Sequence, residues 1–419
     1  MSSTAWKMNK IDKGWVLTCF GTAVGAGVLF LPIKAGLAGI WPTLLLAAVI
    51  CPLSYISHRG ITRIVASCPK GEDIISAVES DLGFNASFAL SILYFLSIVS
   101  ICVSYATGLT NIVSSFLEHQ MHLGETSRPL VTFVSLAVLT SVLIFSPRVL
   151  VAFTSIITVP HILLMVFISL YMIPHWSTSV FTQAMPDSLE FMKSVLVLLP
   201  LFVFAMNFSP VCSTVGAFYH KNHATIEEAV GRSDQVILWT NILILVFIMF
   251  FVISMMLAGS VEIFQMAQTQ NIDTLSAISI SFHDPIIRWS SPCIALLAIM
   301  GSYTGHFSGT REGLYGIVTD LMAWKNPEKR ATLNHKKIDL TLTGVLFVLL
   351  WFLAVYNPPI LSVIGIISSP VIAVYLYLMP VFLMRKVPRL YIYRSPLGGV
   401  IFVVGLITLV ANLIASCMP

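Results

Sequence analysis

Three stretches of this chain carry residue types that could hold and move a small charged molecule, and all three lie within apolar runs. The first is Gly21-Thr22-Ala23-Val24-Gly25-Ala26-Gly27-Val28-Leu29-Phe30-Leu31-Pro32. Glycines at 21, 25 and 27 weaken a helix and permit unwinding. Gly21 and Gly25 would also form a small face for close helix packing. The second is Phe202-Val203-Phe204-Ala205-Met206-Asn207-Phe208-Ser209-Pro210, after Pro200. Here Asn207 and Ser209 are polar, and Pro210 both removes a backbone donor and disfavours helix at Ser209. The third is Gly301-Ser302-Tyr303-Thr304-Gly305-His306-Phe307-Ser308-Gly309-Thr310-Arg311-Glu312-Gly313.

Unwinding a membrane helix exposes amide N–H groups at the start of one half and carbonyls at the end of the other. The positive N-terminal end suits a carboxylate, and the carbonyls suit an ammonium or a cation. A zwitterionic amino acid matches both without any buried protein charge. In the third stretch, Ser302, Thr304, Ser308 and Thr310 offer oxygen ligands for a cation, together with carbonyls near Ala23. His306 offers instead a group that titrates near neutral pH, or a neutral hydrogen bond between helices. Glu312 is the second candidate for a proton, with Arg311 either capping the helix end beside it or forming a buried ion pair. His161, beside Pro160, reads as structural.

These stretches need a membrane to position them. Of 419 residues, 57% are hydrophobic and only 10% charged, against about 25% charged in soluble domains. A soluble enzyme surface and disorder are both excluded. A net charge of +4 is too weak and dispersed for nucleic acid. Apolar windows of membrane-spanning length fall near 14–34, 40–57, 86–116, 129–146, 149–173, 194–217, 235–259, 289–321, 338–356, 359–383 and 396–417. The fold class is thus an all-α membrane protein of eleven spans. Loops near 58–85, 260–288 and 322–337 are too short to fold alone. The N-terminal segment, with Lys7, Lys10 and Lys13, lacks a cleavage site and is not a signal peptide.

With the N-terminus in the cytoplasm, Lys34, Arg128, Lys193 and Arg288 are the only ones of 23 Lys and Arg left outside. The positive-inside rule therefore sets this orientation, with the C-terminus on the opposite face. Gly25 and Asn207 interrupt the first and sixth spans. Interruptions at matching positions of two five-helix halves point to an inverted-repeat transporter, here 1–173 and 194–383 with 396–417 as an added helix. The seven cysteines are odd in number, scattered and without a CxxC pair, so neither a metal site nor a disulfide framework is expected. No GxxxxGK[ST] segment indicates an ATP-driven pump, and no ring of pore-lining charges indicates a channel. A non-transporting sensor would need a signalling appendage.

The motifs Gly21–Pro32, His58-Arg59-Gly60 with Arg63, Gly71-Glu72-Asp73-Ile74, Asn207–Pro210 and Gly305–Gly313 resemble the hydroxy/aromatic amino acid permease family of the amino acid–polyamine–organocation superfamily. The serine/threonine branch looks closest. The resemblance implies a leucine-transporter-like 5+5 repeat with broken helices 1 and 6, a bacterial inner membrane, and cation-coupled uptake of a small hydroxy amino acid. Proton is the expected coupling ion and sodium the alternative; an aromatic substrate is the alternative cargo. It assigns Thr22, Ala23, Gly25, Ala26 and Gly27 to the substrate's carboxylate and ammonium, faced by Asn207, Phe208 and Ser209. Tyr105 is the candidate aromatic gate. Ala23, Thr304, His306, Ser308, Thr310 and Glu312 are the ion-coupling candidates. At Ala205-Met206 the branch leads us to expect a serine and an aromatic, so the likeness speaks to transport class more than to side-chain selectivity. No cofactor is expected, and the partners are a small amino acid and the lipid bilayer, with the carrier as a monomer.

Overall fold

The computed structural model describes residues 8–69, 73–141, 147–178, 181, 187–323 and 334–418, and their side chains apart from those at 147–152, 155, 323, 335 and 416. Gly71 and Glu72 of the third resemblance motif lie outside the described residues. Among the described residues the regular structure is entirely helical.

The first apolar run forms two helices, α1 (Lys10–Ala23) and α2 (Ala26–Ala38), bent by 53° at Val24–Gly25. Asn9 and Asp12 start α1 with a reciprocal capping box, each side chain accepting from the other's backbone N–H at 2.9 Å. Gly39, at φ 93°, turns the chain into α3 (Ile40–Ala66). Next come α4 (Ile74–Leu82), α5 (Phe84–Ser115, prolonged by a π turn to Gln120), α6 (Arg128–Ser141) and α7 (Pro147–Tyr171). The second interrupted run forms α8 (Ser188–Ala205) and α9 (Ser209–Asn222). The chain then runs through α10 (Ile226–Ala258), α11 (Val261–Gln270), α12 (Thr274–Phe282) and α13 (Pro285–Ala323). It ends with α14 (His335–Val355), α15 (Ile360–Lys386) and α16 (Gly398–Cys417).

Nine of the helices in the described residues are long and apolar enough to cross a membrane, and the bent α1–α2 pair makes a tenth span. α6, at 14 residues, is shorter, and positions 142–146 of its expected window lie outside the described residues. The windows at 86–116, 289–321 and 359–383 become helices extended by a few residues at their ends. Two expected loops are largely helical. α3 continues past His58 to Ala66, and 260–288 contains α11 and α12. The cause at His58–Ala66 is that His58, Arg59 and Arg63 lower the local hydropathy without lowering helix propensity.

The helices fall into two groups. α1, α2 and α3 pack with α8, α9 and α10, while α5 packs along α13 with α6 and α14 beside it. α7 bridges the groups through α1, α10 and α13. One buried apolar core runs through both, and the two helix breaks lie inside it.

Candidate functional site

At the first break, Val24 is extended (φ −84°, ψ 91°) and Gly25 follows at φ −136°. The Gly25 N–H donates to the Ala23 carbonyl, and Val28 N–H donates to the Gly25 carbonyl, both at 3.1 Å. Ala26 and Gly27 open α2, so their amides belong to a first helical turn that has no intrahelical acceptors. A side chain at Gly25 would meet Ser302 Oγ at 2.7 Å and the Tyr105 hydroxyl at 2.8 Å. One at Gly27 would strike the Phe204 ring and approach the Ala205 Cα at 3.1 Å. Glycine is required at both positions by close approach, of polar groups at Gly25 and of an aromatic ring at Gly27.

Ser302 ties α13 to the break, its hydroxyl donating to the Thr22 carbonyl at 2.5 Å. The Tyr105 hydroxyl lies 2.6 Å from Ser302 Oγ. Because Ser302 has a single proton, Tyr105 must donate to it. The Tyr105 ring stands edge-on to both His306 (5.3 Å) and Phe204 (6.5 Å). His306 Nδ1–H donates to the Ser302 carbonyl at 2.8 Å, which fixes its ring against Tyr105. The expected aromatic on the third apolar run is thus beside the first break, held by Ser302.

The second break is built differently. Met206 and Asn207 N–H groups still reach back to Phe202 and Phe204 carbonyls. Asn207 Oδ1 then accepts from Ser209 N–H at 3.2 Å, and the Phe208 carbonyl accepts from Val211 N–H at 3.1 Å. The remaining amide, Phe208 N–H, donates to His58 Nε2 at 3.1 Å. His58 Nδ1–H donates to the Ser54 carbonyl at 2.8 Å, and its ring stacks on Phe208 at 3.8 Å and 6°. Asn207, Phe208 and Ser209 are all buried. Asn207 Oδ1 is taken by the Ser209 amide and the Phe208 amide by His58, where we had expected these residues to face the first break. The contacts across to α2 come from Phe204 and Ala205. His58, Ser302 and Phe204 are absent from the expected substrate residues. The signal for His58 was its position four residues after Ser54, one helical turn on the same face.

A cavity of about 620 Å³ runs inward from the end of the bundle that holds Lys336 and Asp339, and reaches Thr22, Thr304 and Gly305. A neighbouring cavity of about 930 Å³ extends it toward Ile11, Asp73 and Lys221, with Trp15, Tyr94, Pro210, Thr214 and Glu312 common to both walls. α13 divides the ion-coupling candidates between two faces. Thr304, Ser308 and Glu312, four residues apart, line the cavity. Ser302, His306 and Thr310, also four apart, face α5, where Thr310 lies 3.5 Å from Cys102. The five candidates on α13, Thr304, His306, Ser308, Thr310 and Glu312, therefore lie on two faces of one helix, and the Ala23 carbonyl accepts from the Gly25 N–H. Arg311 pairs with Asp339 at 3.3 Å rather than with Glu312. His161 is buried and its Nε2 has no hydrogen-bond partner.

The opposite end is closed by polar contacts. Arg128 donates to the Ala354 carbonyl (2.8 Å) and to Asn111 Oδ1 (2.7 Å). Asn111 reaches the Asn271 carbonyl at 2.8 Å, and Asn271 reaches Asn357 at 3.0 Å. Thr274 on α12 donates to the Leu29 carbonyl of α2 at 2.9 Å.

A helical bundle with a broken first span, a polar centre and a cavity reaching it from one end has the form of a membrane transporter. The chain belongs to the tryptophan/tyrosine permease family, whose family model matches residues 7–416. It is 32% identical to the serine transporter SdaC of Escherichia coli (strain K12), over 98% of this chain and 95% of the relative. It is 30% identical to the threonine/serine transporter TdcC of Edwardsiella piscicida, over 99% and 97%. In fold it resembles a mutant of the Eremococcus coleocola manganese transporter, with a TM-score of 0.63 at 12% identity, over 99% of this chain and 89% of that one. The protein is a multi-pass membrane transporter and not an enzyme.

Proposed function

We propose that the protein is a secondary-active amino acid transporter that carries serine or threonine inward with a coupling ion, most simply a proton. In this reading the chain has eleven spans in a 5+5 inverted repeat, lies in a bacterial inner membrane with a cytoplasmic N-terminus, and is caught open to the cytoplasm. The observation that carries it is the asymmetry of the two breaks. α2 presents first-turn amides at Ala26 and Gly27, which suit the substrate carboxylate. The second break has its amides taken by Asn207 and His58, and we place the substrate ammonium against the carbonyls at Ala205 and Met206, the latter also accepting from Ser54 Oγ at 3.4 Å. The resemblance to serine and threonine/serine transporters supports a small hydroxy cargo.

His306 and Glu312 are the alternative carriers of the coupling proton. Glu312 meets the cavity, while His306 sits behind Tyr105 beside the break. A sodium reading rests on Thr304 and Ser308, which share the cavity face with Thr22 and supply hard oxygen ligands.

The test is uptake into liposomes holding the purified protein, with pH and sodium gradients imposed separately against a panel of amino acids. Concentrative serine or threonine uptake driven by pH alone is expected. A strict sodium requirement would remove the proton, and preference for tryptophan or tyrosine would remove the small-substrate assignment. Binding without uptake would identify a sensor.

A further inference from the structure

We propose that His58 is a positioning residue that holds the second helix break unwound and closes its free amide, leaving the first break as the place where a carboxylate can dock. The inference rests on the carrier reading above. Three contacts carry it. Nε2 accepts the Phe208 N–H at 3.1 Å, Nδ1–H donates to the Ser54 carbonyl at 2.8 Å, and the ring lies flat on Phe208 at 3.8 Å. His58 is fully buried. Accepting at Nε2 while donating at Nδ1 specifies one neutral tautomer, which the Ser54 carbonyl selects.

The consequence concerns substrate polarity. A break flanked by two half-helices offers an amide end and a carbonyl end, and two such breaks could bind a zwitterion in two opposed orientations. Asn207 covers the Ser209 amide, Pro210 has none, and His58 covers Phe208. With that end filled by the protein, the amino acid has one orientation left. α3 is well placed to hold this clasp, because a side chain at Gly216 of α9 would lie 2.8 Å from the Thr62 carbonyl of α3.

His58→Phe keeps the ring and its stacking but loses the acceptor; His58→Gln keeps an acceptor but not the ring. In liposomes, His58→Phe should raise the half-saturation constant for L-serine about tenfold, the scale of one buried hydrogen bond left unmade. Its maximal rate per folded protein should stay within about twofold, and His58→Gln should restore affinity to within about threefold of wild type by supplying that bond again. Amide hydrogen exchange across Met206–Val211 should accelerate in substrate-free His58→Phe and not in His58→Gln. An unchanged half-saturation constant in His58→Phe, equal damage in both variants, or unchanged exchange would each overturn the proposal. Wild type that transports no amino acid would instead sink the carrier reading, and the exchange comparison would still decide whether His58 holds the segment.

Discussion

The two helix breaks look alike as sequence interruptions and differ as structures. At Val24–Gly25 the chain parts because glycines admit Ser302 and Tyr105 against the backbone. At Met206–Phe208 it parts around polar groups that turn inward on their own segment, with His58 as the outside clasp. One break opens a helix with first-turn amides that lack intrahelical acceptors, whereas the amides of the other are taken by Asn207 and His58. A broken membrane helix is therefore not by itself a binding site; what matters is which of its freed backbone groups the protein leaves unclaimed.

The largest expected effect attacks the open break. Gly25→Val places carbon where Ser302 Oγ and the Tyr105 hydroxyl lie within 2.8 Å, and neither can withdraw without losing the other. Uptake should be abolished while insertion and monodispersity in detergent are retained; near-normal affinity would reduce the glycines to packing residues.

Next in size is the contrast between the two faces of α13. If His306 carries the proton, His306→Gln should lose pH-driven accumulation yet keep serine exchange, because exchange needs no net proton movement. If the cavity face does this work, Glu312→Gln should show that pattern instead, and counterflow against imposed-pH uptake separates them.

A smaller loss is expected at the closed break. Asn207→Leu strands the Ser209 amide, which should weaken substrate binding by about 1–3 kcal/mol, read from the half-saturation constant. Equal affinity in that variant would show that the second break is scaffold only. Tyr105→Phe should cost about tenfold in affinity, because Ser302 loses a donor but keeps its bond to the Thr22 carbonyl. The least change belongs to Ser209→Ala, which should shift the relative rates of serine and threonine by no more than about threefold, since the backbone N–H of Ser209 makes the bond to Asn207.

Much of this was legible in the residues. The apolar windows gave the helices, and the glycines at 25 and 27 and the Asn207–Pro210 segment gave both breaks to within a residue or two. Tyr105 was placed near the site only through the family resemblance, as an aromatic gate on the third span. The role of His58 was missed although its spacing of four from Ser54 puts both on one helix face, since the fall in hydropathy at Arg59 and Arg63 made it resemble the edge of a loop. The sorting of Thr304, Ser308 and Glu312 from Ser302, His306 and Thr310 follows from a step of four along one helix. Which set meets the cavity depends on how α13 is rotated against α5.

The sequence alone determined that the chain is a membrane helix bundle, because apolar length and the shortage of charge are properties of each segment taken separately. It also pointed to two helix breaks, where glycine clusters or polar residues before a proline weaken the helix, whereas Pro32, Pro52, Pro160, Pro200 and Pro292 stay inside continuous helices. Only the tertiary structure decided which broken ends remain free. That depends on side chains brought from far along the chain, His58 to Phe208 across 150 positions and Ser302 to Thr22 across 280. A hydrogen bond is set by distances of a few tenths of an ångström, and no local pattern of residue types encodes such a distance.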